Sequence, residues 1–181
     1  VKRCIHTAAD FDYASNLYFS DGAVELAVNL MKNGRGFTIV TDTNMALAGV
    51  NKAALKQLNG TVRCFMADPD VAAEAKERGV TRAIVSMERA ATLAGPVIFA
   101  IGNAPTALIR LYEMMQKGEI HPDFIIGTPV GFVNVVESKE LICQSSVPCI
   151  VARGRKGGSN IAAAVCNALM YQVTRTQKSG K

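Results

Sequence analysis

The sequence predicts an α/β fold: a single domain with one doubly wound, mainly parallel five-stranded sheet and helices on both of its faces. Short apolar runs alternate with helical stretches along the chain. These runs show no polar alternation, as expected for parallel strands that are covered on both sides. The chain has 181 residues, 49% of them hydrophobic, which suits one well-filled core. We therefore expect residues 1–181 to form one unit that ends in a polar tail at 175–181.

Five short runs are predicted as strands because they are apolar on both faces and rich in β-branched residues. Successive parallel strands need crossover connections, so the stretches between the runs are expected to supply the helices. The predicted strands are FTIV at 37–40, VRCFM at 62–66, VIFAI at 97–101, FIIG at 124–127 and CIVA at 149–152.

Four helices are predicted from residues that favour helix ends: proline in the first turn, glycine after the last turn, and a side-chain oxygen at the N-cap. They are a helix from Gly22 to Asn33 that ends at Gly34, a helix from Asp68-Pro69 to Gly79, a helix that begins at Pro105, and a last helix that begins near Ser159 as its N-cap.

The composition excludes several classes of protein. No apolar run approaches the roughly 18 to 20 residues of a membrane-spanning helix, and no signal-peptide pattern opens the chain, so we expect a cytoplasmic protein without a membrane partner. The five cysteines form no C-x-x-C pair, which argues against a disulfide framework or a zinc ribbon. The two histidines lie far apart and form no metal motif. We therefore predict neither a metal nor a cofactor.

The excess of positive charge is confined to the C-terminal part of the chain. Residues 1–140 contain 14 Lys and Arg against 15 Asp and Glu, whereas the remaining residues contain six basic side chains and no acidic one. The aromatic content is 6% with no Trp, so the sequence does not predict a set of aromatic side chains on which nucleic-acid bases could stack. A multiply anionic small molecule suits the basic cluster better than nucleic acid does.

Four loops at one edge of the predicted sheet share an unusual composition. Open parallel sheets bind ligands outside the carboxyl ends of their strands, which is where these loops lie. Each combines glycine with Thr, Asn, Ser or Pro, so that backbone N–H groups can approach a ligand and hydroxyl groups can bind it. We expect the loops to line one rim. They are TDTNMALAG at 41–49, GNAPTAL at 102–108, GTPVGFVNVVESKE at 127–140 and RGRKGGSN at 153–160.

The segment RGRKGGSN is the strongest local signal. Gly157 and Gly158 lead into a helix that Ser159 is expected to cap, and such a helix start exposes N–H donors and the positive end of the helix dipole. Three basic residues stand beside it, so an anion site is favoured over a glycine-rich turn with solvated charges. The P-loop and G-x-G-x-x-G patterns are both absent. The basic residues are Arg153, Arg155 and Lys156.

Isolated residues of the chain give weaker signals. For His6 considered alone, a structural role is favoured over catalysis, although imidazole is the side chain best suited to proton transfer near neutral pH. His121 precedes a strand and is predicted as a loop residue. Asp42, Glu137 and Glu140 are predicted to cap helices or to be solvated, because their spacing defines no acid and base pair.

Five segments together resemble the precorrin-8X methylmutase family, also known as precorrin isomerase or cobalt-precorrin-8 methylmutase. The resemblance runs from Arg3 to about Met170, and the joint occurrence of the motifs is much more specific than any one glycine loop. In chain order the segments are RCIHTAADFDYA, TDTNMALAG, IGNAPTALIRL, GTPVGFVNVVESKE and VPCIVARGRKGGSNIAAAVCNAL.

The resemblance implies an isomerase of cobalamin biosynthesis that moves a methyl group from carbon eleven to carbon twelve of a corrin macrocycle. The product would be hydrogenobyrinate or its cobalt equivalent, cobyrinate, formed by an acid-assisted one-to-five methyl shift. His6, in the R-x-x-H motif, would be the catalytic acid, and Arg3 would contact the substrate. The other expected substrate contacts are Thr43, Asn103, Thr106, Arg153, Arg155, Lys156, Gly157, Gly158 and Ser159.

The resemblance further implies a homodimer that holds the tetrapyrrole near its interface, needs no cofactor, and hands its product to the next enzyme of the pathway. Family members usually carry residues ahead of the R-x-x-H motif, whereas this chain opens at Val1, so we expect an N-terminal family segment to be missing from it. Two alternatives stay open: a corrinoid-binding carrier without turnover, and a nucleotide-binding flavodoxin-like domain, which rests only on architecture and on the segment GRKGGS.

Overall fold

The computed structural model describes residues 1–176, so residues 177–181 of the predicted polar tail lie outside the described residues. Helices and strands alternate along most of the chain, as the sequence predicts. In chain order the elements are α1 (Lys2–Ala8), α2 (Tyr13–Asn16), β1 (Leu17–Phe19), α3 (Ala23–Lys32), β2 (Phe37–Thr41), α4 (Asn44–Gly49), α5 (Lys52–Gln57), β3 (Gly60–Arg63), α6 (Pro69–Arg78), α7 (Arg82–Ala90), β4 (Val97–Ile101), α8 (Pro105–Gln116), β5 (Phe124–Gly127), α9 (Val135–Gln144), β6 (Cys149–Ala152) and α10 (Ser159–Thr176).

The sheet has six strands in the order β1-β6-β5-β4-β2-β3, so the prediction of five strands is wrong by one edge strand. Strands β2 to β6 are parallel, whereas β1 pairs antiparallel with β6, from Leu17 opposite Ala152 to Phe19 opposite Ile150. The missed strand is only three residues long and half-buried. A run of that length carries no periodicity, and only its pairing with β6 makes it a strand.

The second predicted strand is displaced in the structure. Strand β3 covers Gly60–Arg63 instead of 62–66, and Thr61 and Arg63 are exposed while Val62 is half-buried. This strand lies at the sheet edge, next to β2 alone. Phe65 leaves the strand and is buried in the core beside α6 and α7. The hydrophobic run therefore continues past the end of the strand.

Two hydrophobic cores lie on opposite faces of the sheet, as predicted for strands that are covered on both sides. Along β4, Val97, Phe99 and Ile101 belong to one core, whereas Ile98 and Ala100 belong to the other. The first core includes side chains of α6 to α9, and the second includes side chains of α1 to α5 and α10. Among residues 1–176, no helix combines the length and apolar character needed to cross a membrane.

Helix α10 packs across the second face and brings its first turn to the carboxyl ends of the strands. It contacts α1, α3, α4 and α5 as well as β4 and β5. Its close approach to α4 depends on Gly49, where an added Cβ would lie 2.8 Å from the Cβ of Ala163. Most of the α10 residues from Ile161 to Val173 are buried. The start of α10 is therefore held firmly at the predicted rim.

Candidate active site

The four predicted rim loops meet around the start of α10. The Thr43 and Ser159 hydroxyl oxygens lie 2.7 Å apart, which joins the loop after β2 to the helix. The backbone of Gly102 in the loop after β4 packs so closely that a Cβ there would lie 2.6 Å from the Ser159 Cα. The Gly158 N–H donates to the Thr128 carbonyl in the loop after β5, at 2.8 Å. One edge of the sheet thus carries a continuous surface of loop backbone and hydroxyl groups.

Ser159 does not cap α10 as the sequence predicts. It is the first residue of the helix, and the carbonyl of Gly158 accepts the N–H groups of Ile161 and Ala162, both at 3.0 Å. Gly158 therefore occupies the N-cap position, with a φ of 134° that favours glycine. The Ser159 hydroxyl instead contacts Thr43, which is itself the N-cap of α4 and accepts from the Ala46 N–H.

Asp42 organises the loop after β4, a role that sequence spacing alone did not reveal. Its buried carboxylate accepts N–H groups from Gly102, Asn103 and Ala104 at 2.8, 2.8 and 2.6 Å, just ahead of α8. Burial raises the pKa of Asp42, and the three N–H donors oppose that increase. The predicted capping or solvated role is wrong for Asp42: its carboxylate is buried, and it binds loop N–H groups that precede α8, a helix without a side-chain cap hydrogen bond.

The two other substrate contacts predicted on this loop, Asn103 and Thr106, face different surroundings. Asn103 is exposed at the rim, where its backbone N–H is bound by Asp42. Thr106 lies in the first turn of α8, and its hydroxyl is 3.3 Å from the Thr81 hydroxyl at the start of α7. The Asn103 side chain is thus open to a ligand at the rim, whereas Thr106 faces α7.

Gly157 is required by a close approach of two loops. A Cβ at this position would lie 2.2 Å from the Thr128 carbonyl oxygen and 2.7 Å from that of Pro129. No side chain fits there without displacement of backbone. The paired glycines therefore serve contact between the loops after β5 and β6, in addition to any contact with a ligand.

The three predicted cations differ in what surrounds them. Arg153 pairs with Glu140 at 3.0 Å and lies over the Tyr18 ring, 4.9 Å from its centroid. Lys156 pairs with two carboxylates of the loop after α1, Asp10 at 2.6 Å and Asp12 at 2.5 Å, which raise its pKa.

The third cation, Arg155, is exposed at the rim. In the part of the chain that the structure describes, its guanidinium has no carboxylate partner. Arg155 is thus the cation of RGRKGGSN whose charge is uncompensated by a neighbouring acid.

Lys139, which is not among the residues predicted for the site, lies directly beneath this loop. Its side chain is fully buried, and its ammonium donates to the carbonyl oxygens of Gly154 at 2.7 Å and Lys156 at 2.9 Å. Burial lowers the pKa of Lys139 to about 8. The sequence carries no clear signal for this role, because Lys139 stands among the polar residues Glu137, Ser138 and Glu140 of α9 and resembles a solvated helix residue.

Helix α1 carries the other two candidates and runs antiparallel to α10. Near its first residues, Arg3 lies over the Tyr171 ring at 4.4 Å and lines an open groove of about 450 Å³ along the second half of α10. Its far end continues into Asp10, which contacts Lys156 at the rim. His6 is exposed in the last turn of α1, between these two points.

Arg3 and the rim therefore do not converge on one point within a single chain. Tyr171 is twelve residues beyond Ser159 in α10, which corresponds to roughly 18 Å along a helix axis. Within one chain, a ligand that contacts both Arg3 and the RGRKGGSN segment at 153–160, here called the glycine loop, would have to extend along α1, past His6.

Several large apolar side chains are exposed around the rim. Phe132 is 85% exposed and Phe11, between the two aspartates that bind Lys156, is 80% exposed. Exposed apolar side chains grouped on one edge are typical of surfaces that bind a ligand or another protein chain. The other members are Met45, Val130 and Val133.

The cysteines show no sign of nucleophilic chemistry. All five are free thiols in the structure, and burial raises the pKa of Cys149 to about 11 and that of Cys166 to about 12. Across residues 1–176, no group of three His, Cys, Asp or Glu side chains is arranged to hold a metal ion.

Comparison with known proteins decides the family. The model of the family described as precorrin-8X methylmutase (CbiC) matches residues 1–172. The chain belongs to the precorrin-8X methylmutase family. It is 43% identical to the cobalt-precorrin-8 methylmutase of Salmonella typhimurium over 96% of this chain and 80% of that protein. It is 42% identical to the precorrin-8X methylmutase of Pseudomonas aeruginosa over 92% of this chain and 80% of that protein.

Solved structures agree with this assignment. The precorrin-8X methylmutase of Thermus thermophilus superposes with a TM-score of 0.86 at 36% identity, over 97% of this chain and 85% of that one. Membership of the precorrin-8X methylmutase family, an isomerase family, is therefore shown by both sequence and fold. The family resemblance seen in the sequence is confirmed, and the nucleotide-binding alternative finds no support in the relatives.

Proposed function

We propose that this chain is an isomerase of corrin-ring synthesis that moves a methyl group from carbon eleven to carbon twelve of precorrin-8X or cobalt-precorrin-8. The observation that carries the proposal is the meeting of the family-typical segments at one edge of the sheet, around Ser159 and Gly102. The relatives carry both substrate names, so the proposal covers the metal-free and the cobalt-containing macrocycle alike.

His6 is the proposed proton donor. A methyl shift within one molecule needs neither a nucleophile nor a redox step, so protonation and confinement of the substrate suffice. A positioned general acid contributes about 10²- to 10⁴-fold to a rate. His6 is exposed on α1, and the end of that helix is tied to the glycine loop by the contacts of Asp10 and Asp12 with Lys156. The imidazole is therefore accessible to a ligand that lies along α1.

The carboxylates of the substrate are the proposed ligands of the basic and N–H groups. A corrin macrocycle carries acetate and propionate groups around its periphery, so it can use anchors that are well separated. Arg3 would bind at one end of α1, and Arg155 with the backbone N–H of Gly157 would bind at the other. The charge-assisted hydrogen bonds of such pairs are each worth roughly 1.5 to 3 kcal/mol. Thr43, Asn103 and Ser159 complete this proposed surface. The predicted contact with Gly158 is not retained, because its N–H already donates to the Thr128 carbonyl.

We also propose that the working unit is a homodimer, with the substrate near the interface. The exposed Phe132 and Val133 support this proposal, because a partner surface or the apolar face of a macrocycle would remove them from water. Sedimentation velocity of the wild type and of Phe132→Ser tests it, and a wild type that remains a monomer at micromolar concentration would contradict it. Hand-over of the product to the next enzyme and location in the cytoplasm stay predictions of the sequence.

The decisive experiment compares two histidine variants. The wild type should convert precorrin-8X or its cobalt form into a product of equal mass with a changed visible spectrum. His6→Ala should bind the substrate but turn it over about 10²- to 10⁴-fold more slowly. His121→Ala is the matched control, because His121 is also exposed but lies near the opposite end of β5. Full turnover by His6→Ala would refute the catalytic role.

The same measurement separates the isomerase from the carrier. A carrier would bind the corrinoid and leave its spectrum unchanged with time, and loss of His6 would then have no consequence for the spectrum. A wild type that binds without any spectral change would therefore replace the isomerase with the carrier.

A further inference from the structure

Lys139 combines complete burial with contacts to one functional loop. It is among the largest fully buried side chains, and it comes from α9, next to Ser138 and Glu140. Its ammonium reaches the loop after β6 and donates to the carbonyl oxygens of Gly154 and Lys156 at 2.7 and 2.9 Å. Both acceptors belong to the RGRKGGSN segment, so the lysine holds this segment from inside the protein.

The orientation of these two carbonyls determines where the next N–H groups point. In a trans peptide the C=O and N–H bonds point in opposite directions, and the described chain has no cis peptide bond. Because the Gly154 and Lys156 carbonyls face the buried ammonium, the N–H groups of Arg155 and Gly157 face away from it. Within residues 1–176, no hydrogen bond engages either of these two N–H groups.

The ammonium also places a positive charge behind those donors. A buried charge is costly unless it is hydrogen-bonded, which makes a lysine at this position an expensive choice for packing alone. The carboxylate of Glu140 pairs with Arg153 on the loop, and the Cys143 thiol also lies near Lys139. In the described part of the chain, no carboxylate hydrogen-bonds to the Lys139 ammonium.

We propose that Lys139 is a positioning residue of the isomerase site, which turns the N–H groups of Arg155 and Gly157 outward to bind a carboxylate of the substrate. Its charge behind the loop strengthens that binding without contact between the ammonium and the ligand. The inference rests on the proposed function, because it takes the substrate to be a polycarboxylate that binds at this loop. Lys139 acts on binding, whereas proton transfer is left to His6.

The test measures affinity for hydrogenobyrinate by absorbance titration, alongside steady-state turnover of precorrin-8X. Lys139→Met keeps an unbranched side chain that is one atom shorter, and it removes both hydrogen bonds and the charge. It should weaken binding and raise KM by about 10- to 100-fold, with kcat at saturation changed much less. Lys139→Arg, which retains a charge and donors, should recover part of the lost affinity. A role in folding alone would give no such division between KM and kcat.

The chain offers a matched control in Lys52. Its ammonium also donates to two backbone carbonyls, those of Leu47 and Val50, but between α4 and α5 and away from the glycine loop. Lys52→Met therefore removes the same kind of contact and should leave affinity unchanged. Equal affinities of Lys139→Met and Lys52→Met for hydrogenobyrinate would overturn the proposal.

A pH titration of the wild type tests the same point without a variant at position 139. Because burial lowers the pKa of Lys139 to about 8, its charge is lost as the pH rises above that value. The charged and titratable groups that act on it are Glu140 and Cys143 from α9 and Arg153 from the loop. The affinity for hydrogenobyrinate should fall by about tenfold between pH 8 and 10, because loss of the charge should cost about as much as loss of one charge-assisted hydrogen bond.

The outcomes distinguish this proposal from the proposed function. A wild type that neither binds nor converts a corrinoid refutes the function and the role of Lys139 with it. A wild type that converts substrate, together with a folded Lys139→Met variant that binds hydrogenobyrinate as tightly as the wild type does, refutes the role of Lys139 alone. The proposed role is supported if the affinity of the wild type for hydrogenobyrinate falls between pH 8 and 10 while that of a folded Lys139→Met variant, already weaker, does not change with pH.

Discussion

The substitution Gly157→Ala tests how closely the glycine loop must pack against the loop after β5. The added Cβ would lie 2.2 Å from the Thr128 carbonyl oxygen, whereas real Cβ atoms essentially never approach closer than 3.0 Å. The two loops must therefore separate by at least 0.8 Å, the difference between these two distances. Both neighbours are backbone carbonyls, so no flexible side chain can absorb the change.

Two effects of the added methyl group lower the free energy of unfolding. Overpacking of this kind costs about 1–3 kcal/mol. The displaced Thr128 carbonyl is also the acceptor of the Gly158 N–H at 2.8 Å, and loss of such a bond costs about 0.5–1.5 kcal/mol. We therefore expect the free energy of unfolding to fall by about 2–4 kcal/mol. A displacement approaching 1 Å at the proposed site should reduce activity by about 10- to 100-fold.

Gly154→Ala in the same loop is the matched control. A Cβ there meets no atom within 4 Å, but the backbone φ of 73° lies in the left-handed region. Its expected cost is about 1–2 kcal/mol, from backbone strain alone. Urea unfolding followed by circular dichroism, with steady-state turnover of precorrin-8X, compares the two variants. If Gly157→Ala proves as stable and as active as Gly154→Ala, the close loop contact has no energetic role and the reasoning fails.

Three further predictions concern the elements that hold the rim. The pKa of Lys139 is about 8 in the folded chain and ordinarily 10.5, so unfolding takes up a proton between these pH values. The free energy of unfolding, relative to Lys139→Met, should thus rise by about 3 kcal/mol from pH 8 to 10.5, as measured by urea unfolding; a flat difference contradicts it. Replacing Asp10 and Asp12 together by Asn removes the ion pairs of Lys156 and loosens the attachment of α1 to the rim. Steady-state kinetics should then show kcat reduced about 3- to 10-fold. A lower KM with unchanged kcat would mean instead that the released Lys156 binds substrate. Thr43→Val removes the cap of α4 and the hydroxyl contact to α10, which should lower the unfolding free energy by about 1–2 kcal/mol; an unchanged value would show that the cap is dispensable.

Elements with strong local signals were predictable from the sequence. Strands β4, β5 and β6 have the predicted bounds, because each is buried on both faces and its apolar run is unbroken. Helices α6 and α8 begin at Pro69 and Pro105 as predicted, and α6 ends before Gly79 in the left-handed conformation. Proline in the first turn and glycine after the last turn act through the local backbone, so they need no tertiary partner.

Features that depend on a distant partner were not predictable in the same way. Strand β1 exists through its pairing with β6, which is more than a hundred residues away in the chain. Asp42 receives its three N–H donors from a loop that lies sixty residues further on. Lys156 likewise pairs with Asp10 and Asp12 from the other end of the chain. This pairing reduces the number of cations that are free to bind a ligand at the predicted anion site.

The sequence by itself determined the fold class, the family and the loops that carry the proposed chemistry, because periodicity, helix-end residues and motif spacing are written along the chain. Only the tertiary structure decided which charges are already neutralised, which lysine is buried beneath the glycine loop, and how far Arg3 lies from that loop. The physical reason is that hydrogen bonds, ion pairs and desolvation depend on distances in space, and residues as remote as Asp10 and Lys156 become neighbours only when the sheet and its helices have assembled.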